Sequence, residues 1–90
     1  PKLSVAHTNL GAVYLQQWKY AEGIACARAA IKVAPKFSNA HALLGLALQR
    51  TGDIPGARAA LTEAARLDKR YADLLAKLPP VAVAPPPRSK

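Results

Sequence analysis

Ninety residues, 51% of them hydrophobic, suffice for one small domain, but a core drawn so heavily from alanine must be thin. The single cysteine, Cys26, excludes an internal disulfide and a cysteine-only metal site, and no apolar run approaches the ~18 residues of a membrane span. Thirteen lysines and arginines against five acids give a net charge of +8, an excess that favours acidic partners in general: nucleic acid, anionic lipid or an acidic peptide.

Read in chain order, Leu3, Ala6, Leu10, Val13 and Tyr14 keep the three-and-four spacing of an amphipathic helix over 3–16. Ser4 is expected to cap its start, since a serine hydroxyl can accept a bond from a free amide of the first turn. Gln17-Trp18-Lys19 forms a turn, and a second helix over about 20–33 turns Ile24, Ala27, Ala30 and Ile31 inward, with Pro35 just beyond its end. A third helix over 38–50 has Ala40, Leu44, Ala47 and Leu48 on one face. After the turn Thr51-Gly52-Asp53, a fourth runs over 54–67, with Pro55 in the first turn, where its missing amide hydrogen costs nothing. A short capping helix is expected over 71–78, stopped by Pro79-Pro80. The stretch 79–90 is proline-rich and basic at its end, and is expected to be extended or disordered. No segment alternates with period two, so no strand is predicted.

The chain repeats itself. Pro1-Lys2-Leu3-Ser4-Val5-Ala6-His7-Thr8-Asn9-Leu10-Gly11 returns as Pro35-Lys36-Phe37-Ser38-Asn39-Ala40-His41-Ala42-Leu43-Leu44-Gly45, at a constant offset of 34 residues. A fixed period of that length on helix formers marks an array in which each unit buries its apolar face against the next. The organisation expected is a helical repeat domain over 1–78, with repeat one at about 4–37, repeat two at about 38–71 and the capping helix over 71–78, followed by the tail 79–90. Pro1 falls where a unit would end and no initiator methionine is present, so a segment of a longer protein is expected.

These residues resemble the tetratricopeptide repeat family, whose units are helix-turn-helix hairpins of this length. The resemblance rests on Leu10 and Leu44, Gly11 and Gly45, Tyr14 and Leu48, Ala57, Ala30 and Ala64, and Pro35, and it covers about residues 1–78. Histidine stands at His7 and His41 where the family favours an aromatic, Trp18 replaces the turn glycine, Gly23 an alanine, and Lys69 a proline. The resemblance implies an all-α tandem helix-turn-helix solenoid of two repeats plus a short C-terminal capping helix. It also implies a concave groove, lined by the first helix of each unit, that receives a peptide or partner protein. Carried onto this chain, the groove is Val5, Thr8, Asn9, Ala12, Leu15 and Gln16 from the first unit. The second unit adds Asn39, Ala42, Leu43, Leu46, Gln49 and Arg50, and the capping helix adds Asp73, Ala76 and Lys77. Co-chaperone members grip a terminal carboxylate with lysine, asparagine and arginine on successive first helices. Val5, Asn9, Asn39, Leu43, Asp73 and Lys77 stand there instead, and only Asn9 and Lys77 fit, so such a clamp is not expected.

Catalysis needs a nucleophile with its base, paired carboxylates or a phosphate loop, and five acids on separate elements supply none of these. The expectation is a non-enzyme without a cofactor. His7 and His41 are equivalent, but no other ligand is spaced to complete a zinc site, so packing and a hydrogen bond between helices is their expected role. Cys26 is expected to be a buried small residue. Trp18 is expected to fold back over the inter-helix seam, the alternative being an anchor for a partner or a preceding repeat. Pro85-Pro86-Pro87 reads as a tether rather than a ligand for an aromatic groove. The basic residues are scattered, with Arg66, Lys69 and Arg70 the densest set. The leading expectation is therefore an assembly scaffold that binds protein, with self-association as a further expectation because Leu3, Ala6 and Leu10 end the stack uncovered. Nucleic-acid or anionic-surface binding through the basic exterior is the rival, disfavoured by the lack of aromatic stacking platforms.

Overall fold

The computed structural model describes residues 2–78, and the expectations for Pro79-Pro80 and the tail 79–90 lie outside them. Four long helices follow in order: α1 (Lys2–Gln16), α2 (Tyr20–Val33), α3 (Ser38–Arg50) and α4 (Ile54–Leu67). A 3₁₀ turn at Lys69–Tyr71 leads into the single short helix α5 (Ala72–Ala76). The architecture is all-α, and no strand occurs among the described residues.

Each hairpin turns in the same way. After α1 the amide of Lys19 donates to the carbonyl of Tyr14 (2.9 Å) and that of Trp18 to Leu15 (3.1 Å). After α3 the amides of Asp53 and Gly52 donate to Leu48 (2.9 Å) and Gln49 (3.0 Å). This paired bonding closes a helix on one left-handed residue. In the second unit that residue is Gly52, at φ 90°, which glycine adopts without steric cost. In the first it is Trp18, at φ 67°, the lone non-glycine residue with positive φ among those described. Its ring does not fold back over the seam as expected. The left-handed backbone points it outward, 77% exposed, with only a tilted contact to Tyr20 at 6.4 Å between centroids.

Helix starts also differ between units. The Asp53 carboxylate caps α4 by accepting from the amide of Gly56 at 2.9 Å, and Pro55 sits in the first turn. Lys19 holds almost the same backbone angles before α2 but offers no acceptor. Ser4 is not a cap, contrary to expectation. It lies within α1, fully buried, and its carbonyl accepts from the Thr8 hydroxyl at 2.7 Å.

The hairpins interlock at their glycines. A Cβ on Gly45 would stand 2.6 Å from Leu61 Cγ, so α3 and α4 close over that leucine. A Cβ on Gly11 would stand 2.5 Å from Leu43 Cδ2, so the α3 side chain occupies the space that α1 leaves open. Thus α3 packs against α4 within its own unit and against both α1 and α2 of the unit before. Two clusters fill the interior: Leu15, Ala27, Leu43 and Ala47 between the units, and Ala42, Ala57, Leu61, Ala64 and Leu78 beneath the cap. Leu74, Leu75 and Tyr71 close the second cluster, and the Tyr71 hydroxyl donates to Asn39 Oδ1. The capping helix is shorter than expected, ending at Ala76, yet Leu78 still reaches the core.

The apolar stripe on α1 is uncovered, as expected for Leu3, Ala6 and Leu10 at the end of the stack. Leu3 (55%), Leu10 (45%) and Val13 (45%) are exposed, as is Ala6, and Tyr14 is half-buried. Ala40 and Ala47, one repeat after Ala6 and Val13, are fully buried because α2 covers that face of α3. No described helix covers the same face of α1.

Candidate interaction surface

Because α3 touches α1 directly, the first helices of the two units lie side by side and present one joint surface. Of the residues expected to line it, Val5, Asn9, Ala12 and Gln16 of α1 are exposed, as are Asn39 and Arg50 of α3, while Thr8, Leu46 and Gln49 are half-buried. Three of the residues assigned to the groove are instead core. Leu15, Ala42 and Leu43 are all under 9% exposed: Leu43 fills the space over Gly11, Leu15 that over Gly23, and Ala42 joins the cluster beneath the cap. Gly11 leaves room for Leu43 across units, a pairing that one repeat's pattern does not reveal, and Gly23 leaves room for Leu15 within the first unit. Asp73, Ala76 and Lys77 are exposed, and the short helix α5 that carries the first two packs on α4.

Two of the five acids, Glu63 and Asp68, are tied to local bases. Arg66 makes paired hydrogen bonds to the Glu63 carboxylate, which holds that carboxyl below its usual range and raises the guanidinium. The Asp68 carboxylate accepts from the side chain and amide of Arg70, with the same directions of shift. Partial burial pushes the half-buried Cys26 thiol up, away from the reactive thiolate. His41 Nε2 donates to the carbonyl of Pro35 at 2.7 Å, which ties the inter-unit loop to its own helix rather than joining two helices as expected. His7 lines a depression of about 330 Å³ with Leu10, Tyr14 and Cys26 on the open side of α1 and α2. Among the described residues no group of three His, Cys, Asp or Glu could hold a metal ion, and no helix is long and apolar enough to cross a membrane.

A second concavity escaped the sequence reading. Val33, Ala34, Pro35, Lys36 and Phe37, in the connection from α2 to α3, line an apolar pocket of about 460 Å³. The signal was present in the 34-residue register, which makes Lys2, Lys36 and Arg70 equivalent, but charges read along the chain look scattered.

Residues 4–37, spanning α1, α2 and the loop that follows, match the tetratricopeptide repeat family. The chain is also 44% identical over 61 residues to a mouse (Mus musculus) protein described as BBSome complex member BBS4. That match takes in 68% of this chain and 12% of the relative, so the chain spans a small part of the relative's length. With one unit matched, and the second repeating its turn, its glycine position and the bounds of its second helix 34 residues on, this chain is a tetratricopeptide repeat protein.

Proposed function

We propose that the chain is a non-catalytic protein-interaction module whose α1–α3 surface receives a peptide or a segment of a partner protein, as part of an assembly scaffold. The observation that carries this reading is the mixed face of the two touching helices. Val5, 43% exposed, and the half-buried Leu46 stand among the amides Asn9, Gln16 and Gln49, apolar contacts beside groups that can bond a peptide backbone. The description of the mouse relative as a complex member supports a scaffold role. Capture of proteins from the native proteome by the chain, set against Val5→Asp/Ala12→Asp, tests the surface without touching the core. Loss of the captured partners with unchanged melting supports the reading, and full retention refutes it.

Self-association is proposed as a companion activity, supported by the exposed stripe Leu3, Ala6, Leu10 and Val13 on α1. Sedimentation of the chain should show an association that Leu10→Lys abolishes. A monomer at every concentration removes this part.

A further inference from the structure

Hairpin stacking sorts the charges by end. The ends of the hairpins that carry the inter-unit connections bear Lys2, Lys32, Lys36, Arg66, Lys69 and Arg70 against Glu63, Asp68 and Asp73. The opposite ends, at the tight turns, balance Lys19 and Arg50 against Glu22 and Asp53. All six of those cations are exposed, and among the described residues only Arg66 and Arg70 of them form ion pairs. Lys2, Lys36 and Arg70 recur at the 34-residue period, so one cation stands at each step of the stack. The connection edge thus carries an excess of positive charge that the tight-turn ends lack.

That edge also holds the apolar pocket. At about 460 Å³ it falls within the ~300–1,000 Å³ of clefts that hold ligands. Its lining is aliphatic apart from Phe37 and Lys36, and Lys32, in the last turn of α2, directly precedes the lining residue Val33 in the chain. A cation row beside an apolar cavity matches a ligand that alternates negative charge with one large apolar group.

We infer that the inter-unit edge, through Lys32, Lys36 and the pocket formed by Val33, Pro35 and Phe37, is a docking site for an acidic segment of a partner protein that inserts one large apolar side chain. Charge complementarity selects the acidic segment and steers its approach, and the pocket fixes its register. A protein is favoured over a nucleic acid because Phe37 is half-buried in the pocket wall, and the exposed aromatic, Trp18, lies at the opposite ends of the hairpins. The site is separate from the α1–α3 surface and does not depend on it.

The test is fluorescence anisotropy of the chain with a labelled polyglutamate peptide carrying one central phenylalanine. Lys32→Glu/Lys36→Glu should weaken binding roughly tenfold or more with unchanged melting, because both lysines are exposed. Exchange of the peptide's phenylalanine for alanine should weaken it several-fold, and Val5→Asp/Ala12→Asp should leave it unchanged. If the lysine reversal lowers the melting temperature, Lys36→Ala replaces it, with the same loss expected to a smaller degree. The inference is overturned by absence of binding at low salt, by equal binding to the lysine variants, or by equal binding of the alanine peptide. It is also overturned by equal competition from single-stranded DNA of the same charge, which would make the edge a general polyanion surface.

Discussion

At residue 18, glycine should be worth more than alanine, the reverse of the order in a helix or an ordinary loop. Trp18 sits at φ 67°, the position Gly52 fills at φ 90° one repeat later. A side chain in the left-handed region costs ~1–2 kcal/mol, and glycine's extra freedom in the unfolded chain costs ~0.4–1 kcal/mol of that relief. Trp18→Gly and Trp18→Ala both lose the ring and its contact with Tyr20, so their difference isolates the backbone. It should be about 0.5–1 kcal/mol in favour of glycine, or roughly 3–6 °C in melting temperature for a domain of this size. Thermal melts by circular dichroism measure it, with Gly52→Ala as the mirror experiment, expected to lose a similar amount. If Trp18→Ala equals or exceeds Trp18→Gly, the turn is not closed by a strained residue and the argument fails.

The remaining expectations concern packing, caps and pH. Gly11→Ala drives a Cβ to 2.5 Å from Leu43 Cδ2, and should cost ~1–3 kcal/mol in denaturant melts. Adding Leu43→Ala should recover part of that loss relative to the sum of the single changes. Asp53→Ala removes the bond to the Gly56 amide and should cost about 1 kcal/mol, whereas Lys19→Asp supplies the missing cap before α2 and should gain a comparable amount. Glu63 and Asp68 have lowered folded-state values because Arg66 and Arg70 bond their charged forms. Their contribution is therefore present above the unfolded carboxylate range and is lost as pH falls through the lowered folded values. Melting temperature should drop on acidification, and Arg66→Ala/Arg70→Ala should shrink that drop.

The period and the helices were legible because the exposed and buried residues of α2, α3 and α4 follow their periodicity closely. Ala27, Ala30, Ala40 and Ala47 are all fully buried on the faces that spacing assigned to them. The groove was legible only in part. Its expected residues follow from the resemblance to the repeat family, but Leu15, Ala42 and Leu43 are drawn into the core by the space at Gly11 and Gly23 and by the cap, which are three-dimensional events. Trp18 was misread because a large aromatic usually earns burial, whereas here the left-handed turn decides where the ring points. The Ser4 reading failed because the helix begins two residues earlier, at Lys2. The basic edge was hidden in chain order and visible only once residues were compared at the repeat period.

Hydrogen–deuterium exchange on the chain with and without a captured partner tests the central claim most directly. The α1–α3 surface should gain protection along residues 5–16 and 39–50, while the turn at Gly52 should exchange as before. Protection that leaves both of those helices unchanged contradicts a partner seated across them.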